Sequence, residues 1–207
     1  MLWGGFKPAP RSRGGRAVVK STPCERCDAR CCRTYVVPLN GADIARLQAF
    51  LGSPLSEWCV LEPVSEGIQD YGYFSIRLSG EERYVVCLKR ENGSCIFLRR
   101  SNLRATCNIH EARPGMCRSY PFTFCSGKAE HTDACICPER WALNSSDEAV
   151  FSQLYIDYNA SFADFKDITD LWEKSYRTEY ITTGRMTADH ETNLGVFLEF
   201  LAGRISR

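Results

Sequence analysis

Cysteine is the residue type through which this chain can do chemistry. Twelve thiols stand at positions 24, 27, 31, 32, 59, 87, 95, 107, 117, 125, 135 and 137. The densest block runs Cys24-x2-Cys27-x3-Cys31-Cys32. A two-residue gap lets a tight turn aim both sulfurs at one ion, and the next gap spans one helical turn to Cys31, so three thiolates can converge locally. Cys32 is different. Successive side chains diverge in helix and strand alike, so Cys31 and Cys32 are expected to face two neighbouring sites. The order of the gaps also excludes radical S-adenosylmethionine chemistry. Its motif reads C-x3-C-x2-C, and its barrel needs an alternation of strands and helices that this chain lacks.

The compartment decides what thiols mean. The chain has no apolar stretch of signal-peptide character and no run of about 18 apolar residues to span a bilayer. The expectation is therefore a cytosolic protein with no membrane partner. There thiols stay reduced, and clustered cysteines point to metal or redox chemistry rather than disulfides.

A second set of cysteines is spread along Cys95-Ile96-Phe97-Leu98, Cys107-Asn108-Ile109-His110 and Arg113-Pro114-Gly115-Met116-Cys117-Arg118-Ser119-Tyr120-Pro121-Phe122, with a late Cys137-Pro138. Together with the opening block these segments resemble the CxxCxxxCC cysteine-cluster proteins, the YkgJ family, over residues 24 to about 138. His110 stands where that family usually has tyrosine. The resemblance implies a zinc- or iron-chelating domain, for some members with a [4Fe-4S] cluster. One larger relative type methylates flagellin lysines, but no glycine-rich cofactor loop follows a clear strand here, so no such activity is carried over.

Mapped onto this chain, the family pattern implies eight metal ligands: Cys24, Cys27, Cys31, Cys32, Cys95, Cys107, Cys117 and Cys137. Eight thiolates divide into two four-sulfur sites, which suits two zinc ions, two [4Fe-4S] clusters or one of each. An all-sulfur, dispersed ligand set favours one or two [4Fe-4S] clusters, with zinc as the alternative. Cys87, Cys125 and Cys135 lie nearby without a firm match, and Cys135 is placed to replace Cys137. Cys59, in Glu57-Trp58-Cys59-Val60, reads as a small buried hydrophobe. Arg113 and Arg118 flank Cys117, where guanidinium groups can offset thiolate charge. His110 and His131 fall within the cysteine region but read as structural or exposed, and His190 has no functional case.

The elements that must position these thiols read as an α+β fold: a small metal-organised domain with a short antiparallel sheet, followed by about three C-terminal helices packed on it. Asn40 caps a helix carrying Ile44, Leu47 and Leu51, and Gly52 ends it. Residues 71–78 and 83–90 have strand composition, with Ser79-Gly80-Glu81 and Glu91-Asn92-Gly93 as turns. Beyond the cysteines, Ser145 to Glu148 reads as a capping box. Three aromatic-rich stripes then follow at helical spacing: Phe151 to Phe162, Ile168 to Tyr180 and Leu194 to Ile205. The expected organisation is a basic flexible arm over 1–22, a metal-binding domain over 23–139 and a helical extension over 140–207.

With 26 Lys+Arg against 25 Asp+Glu, the chain lacks the field of a dedicated nucleic-acid binder. Lys7, Arg11, Arg13, Arg16 and Lys20 form a local basic arm that gives nucleic acid a weak foothold; a protein partner or substrate is expected but not identified. The functional expectation is a cysteine-rich metal-binding protein holding one or two [4Fe-4S] clusters with a redox or enzyme-supporting role. The alternative is a zinc-stapled non-catalytic protein or nucleic-acid interaction module. No serine triad, paired carboxylates or phosphate loop points to a reaction.

Overall fold

The computed structural model describes residues 28–64, 75–100, 105–125, 128–132, 135–137, 143–187 and 189–205. The basic arm and the first two cysteines, Cys24 and Cys27, lie outside them.

The described chain opens with a five-residue helix, α1 (Arg30–Thr34). Asn40 then starts α2 (Gly41–Leu51) as read from sequence: its side-chain oxygen accepts the Asp43 N–H at 2.9 Å. Gly52 ends the helix at φ 67, the left-handed conformation that glycine adopts without strain. Ile44 and Leu47 turn fully inward. A short α3 (Leu55–Trp58) leads directly into β1 (Cys59–Pro63).

β1, β2 (Ser75–Arg77) and β3 (Arg83–Leu88) make an antiparallel sheet in the order β1-β3-β2, with Cys59 opposite Leu88 and Ser75 opposite Val85. The central strand β3 carries Val85, Val86 and Cys87, all fully buried. Three two-stranded ribbons follow. β4 (Arg90–Glu91) pairs with β5 (Ser94–Cys95), β6 (Leu98–Arg100) with β7 (Ala105–Cys107), and β8 (Phe122–Cys125) with β9 (Lys128–His131). A 3-10 turn (His110–Ala112) and α4 (Gly115–Ser119) separate the last two ribbons. The sheet followed by helices makes the fold α+β.

Three expectations need correction. Residues 83–90 are not one strand: β1 begins at Cys59 opposite Leu88, Lys89 donates its N–H at 2.8 Å to Trp58 O at the end of α3, and Arg90 begins the next ribbon. Of the expected strand over 71–78 only Ser75–Arg77 is a strand among the described residues. The cap of the first C-terminal helix belongs to Asn144, whose side chain accepts the Asp147 N–H at 2.9 Å, so Ser145 is the first helical residue.

The first two aromatic stripes share one helix. α5 (Ser145–Leu171) runs through both starts because no glycine or proline interrupts residues 145–171. It continues through a π-helical turn (Trp172–Tyr176) into α6 (Arg177–Thr182). The wider turn adds a residue and keeps Trp172 in the core. There Trp172 Nε1 donates to Arg77 O at 2.8 Å, and Glu173 pairs with Arg77 at 2.9 Å. Arg177 donates to Gly80 O at 2.8 Å, so this part of the helix is fastened to the β2 edge. The last helix, α7 (His190–Ile205), returns with Phe197 and Leu201 fully buried.

One apolar core joins both parts of the chain, from Val37, Leu47, Trp58 and Val85 to Phe165, Trp172 and Phe197. Each such side chain contributes about 1.5–3 kcal/mol on full burial. Among the described residues no helix is long and apolar enough to cross a membrane.

Candidate metal centre

Four elements bring four of the expected ligands to one place. Cys31 comes from α1, Cys95 from β5, Cys107 from the end of β7 and Cys117 from α4. All four residues are half-buried, and Cys95, Cys107 and Cys117 pack on the edge of the core. Burial pushes the Cys117 thiol well above its ordinary value, and negative charge at Cys31, Cys95 or Cys107 pushes it further. Such mutual opposition requires neighbouring sulfurs: each resists ionisation while the others carry charge. A bound cation removes that opposition by replacing the protons.

The local sequence explains how each thiol is presented. In Cys95-Ile96-Phe97-Leu98 burial raises the Cys95 thiol, while the backbone N–H groups of Phe97 and Leu98 donate toward its sulfur and favour the thiolate. A sulfur that already receives amide hydrogen bonds is prepared to bear charge as a ligand. Leu98 also pairs directly with Cys107 across the β6–β7 ribbon, so one tight excursion presents both cysteines. The Asn108 N–H closes the excursion on Phe97 O at 2.9 Å.

Cys117 is held by residues that sequence reading gave no functional part. Asp43, almost fully buried in the first turn of α2, accepts the Gly115 N–H at 2.8 Å. Arg46 pairs with the same carboxylate and donates to Ala112 O at 3.3 Å and Arg113 O at 3.1 Å. The Arg113-Pro114-Gly115 segment is thereby locked to α2, with Cys117 one half-turn beyond. The only signal in the sequence was the acidic residue in a helix's first turn, which reads equally as a simple cap. Arg113 takes the expected role of charge compensator: its guanidinium draws the Cys117 thiol downward against burial, and its Nε donates to His110 O at 3.1 Å. Arg118 lies on the same short helix.

Cys31 and Cys32 do not diverge as expected. Their sulfurs lie 4.0 Å apart, close to the roughly 3.8 Å separation of two thiolates on one tetrahedral zinc with Zn–S bonds of about 2.3 Å. The hydrogen bond with Cys32 raises the Cys31 thiol above its ordinary value, and burial adds to it.

Cys137 sits in a separate presentation loop organised by Tyr120. The Tyr120 hydroxyl accepts N–H bonds from Ile136 at 2.8 Å and Cys137 at 3.1 Å, and donates toward Cys135 Sγ at 3.7 Å. Its ring meets Tyr35, the residue that ends α1, at 5.4 Å between centroids. Burial first, then hydrogen bonds with Tyr35 and Cys135, hold the Tyr120 hydroxyl far above its ordinary range. The Tyr120-Pro121-Phe122 segment, expected as rigid packing, is thus also the anchor of the Cys135–Cys137 loop.

The remaining cysteines divide cleanly. Cys59 and Cys87 are fully buried in the sheet, and burial pushes both thiols up; they are core residues, as expected for Cys59. Cys87 had been read as near the site, but its position on central β3 turns it into the apolar layer. Cys125 lies on β8 with its side chain outside the described set, as is that of His190. His131 is on β9 with its ring 4.7 Å from Phe122. Among the cysteines described at side-chain level no disulfide is formed. Among the described residues no three Cys, His, Asp or Glu side chains close to the geometry of a single bound ion. The donor chemistry fits a thiophilic metal or cluster: only sulfur, four thiols from four elements, with amide and guanidinium groups beside them.

Residues 23–138 match the family model described as "CxxCxxCC: Putative zinc- or iron-chelating domain". Comparisons with curated proteins and with solved structures return no match.

Proposed function

The chain belongs to the CxxCxxCC family of zinc- or iron-chelating domains, and on that premise we propose that it holds at least one [4Fe-4S] cluster on Cys31, Cys95, Cys107 and Cys117 in a redox or enzyme-supporting role. The observation that carries this reading is the buried Cys117 thiol, opposed by charge at the other three. Sulfurs dispersed over four separate elements suit the wider footprint of a cluster. When bound, such a cluster supplies one-electron chemistry at a potential set by charge, hydrogen bonds to sulfur and exposure. The chain's own residues tune these quantities: the Phe97 and Leu98 amides at Cys95, the Arg113 guanidinium at Cys117, and the core that shields the sulfurs from water.

The test is strictly anaerobic purification with iron, zinc and acid-labile sulfide measured together. The proposal requires a brown protein absorbing near about 400 nm, with sulfide equal to iron. Colourless protein with stoichiometric zinc and no sulfide overturns it. One observation favours that second reading, in which zinc staples the loops: the Cys31 and Cys32 sulfurs lie at a separation that one zinc ion accepts.

A further inference from the structure

Resting on the metal-centre reading above, we infer that Arg90 is the positioning residue that locks α1, with Cys31 and Cys32, to the ribbon that carries Cys95. Two halves of one residue do this. Its backbone stands directly opposite Cys95 in the β4–β5 ribbon. Its guanidinium reaches the carbonyl end of α1, where it donates to Arg33 O at 2.7 Å and to Tyr35 O. It also donates to Gly93 O across the ribbon's own turn. Asn92 and Gly93, at φ 49 and 74, make the tight reversal that brings this third carbonyl to the same group.

α1 has five residues and carries Cys31 and Cys32. A helix that short has no stability of its own, and its last carbonyls lack partners within the helix. A planar cation with several fixed donors satisfies those carbonyls and complements the negative end of the helix at once. Cys32 and Cys95 stand 63 positions apart in sequence, and Arg90 makes a hydrogen-bonded bridge between their segments.

Lysine and glutamine variants separate the two roles. Arg90→Lys keeps the charge but cannot span three carbonyls; Arg90→Gln loses the charge. The control is Arg177→Gln, because Arg177 clamps Leu78 O and Gly80 O in the same manner away from the cysteines. Zinc and cobalt(II) affinities are measured on the full chain by chelator competition, with the cobalt–thiolate absorption recorded at saturation. The expected result is a loss of about 10–100-fold for Arg90→Gln, partly recovered in Arg90→Lys, with an altered cobalt spectrum in both. Arg177→Gln is expected to lower unfolding midpoints while leaving affinity and spectrum unchanged.

Arg90 variants that bind like the wild type with the same spectrum overturn the inference while the metal reading stands. So does an equal loss of affinity in Arg177→Gln. A wild-type chain that takes up neither zinc, cobalt nor iron overturns the metal reading itself. Should the Arg90 variants not fold, the wild type decides. The inference requires the Arg90 side-chain N–H resonance to shift on metal uptake while that of Arg177 stays in place, and equal behaviour of the two refutes it.

Discussion

Replacing Gly115 with alanine tests whether α4, and with it Cys117, is held by contact rather than by the metal. A Cβ added at Gly115 would lie 2.1 Å from Tyr158 Cδ2, 2.6 Å from Cε2 and 2.9 Å from Cγ, where ordinary contact begins at 3.4 Å. The close approach involves the ring's base as well as its edge, and the ring is also packed on Phe162 at 4.6 Å between centroids. Either Tyr158 leaves its place or α4 retreats by more than an ångström. The second movement strains the Gly115 N–H bond to Asp43 and carries Cys117 away from its neighbours. Overpacking of this kind costs about 1–3 kcal/mol, of which the stiffer unfolded chain of alanine returns about 0.4–1. The expected net loss is about 1–2 kcal/mol, or roughly 2–8 °C in midpoint for a chain of this size.

The assay is urea unfolding of the metal-free chain in a double-mutant cycle with Tyr158→Ala. Gly115→Ala should cost almost nothing in the Tyr158→Ala background, giving a coupling of at least about 1 kcal/mol. Metal affinity should fall in Gly115→Ala and recover in the double variant. A cost that is the same in both backgrounds, or no cost at all, refutes the packing argument.

Further outcomes follow from the same structure. Tyr120→Phe strips the acceptor from the Ile136 and Cys137 amides; a loss of about 1–2 kcal/mol and faster hydrogen exchange at those two amides are expected. Because Cys31, Cys95 and Cys117 are all raised, they remain protonated near neutral pH and metal must displace those protons. Apparent affinity should therefore rise with pH, and calorimetry in buffers of different ionisation enthalpy should record about four protons released per four-thiol site, since even an ordinary thiol is protonated near neutral pH. Asp43→Ala leaves the Arg46 guanidinium and the Gly115 N–H without their shared acceptor, at a cost of about 2–4 kcal/mol in urea unfolding. Cys87→Ala should lower stability through a core cavity while leaving metal stoichiometry unchanged, whereas Cys117→Ser should lower stoichiometry.

What the sequence alone determined is what depends on local rules. The Asn40 cap and the Gly52 stop were legible because capping and left-handed backbone are settled within four residues. The Asn92-Gly93 turn was legible for the same reason, and the aromatic stripes because helical spacing is a local period. The ligand types were legible because thiolate chemistry is fixed by residue identity, so the family and its chelating character followed from the cysteine spacings. Tertiary structure decided which thiols stay half-buried at the edge of the core and which enter it. Cys87 and Cys95 stand eight positions apart, yet one enters the apolar sheet and the other the thiol group, since the direction of a strand's side chain depends on what the sheet packs against. It also decided that Asp43, Arg46, Arg90 and Tyr120 fasten the cysteine-bearing segments to one another. Their partners lie between 16 and 72 positions away for the bonds that matter most, and a hydrogen bond across such a distance has no local signature. It is formed only once the core has brought the two segments together.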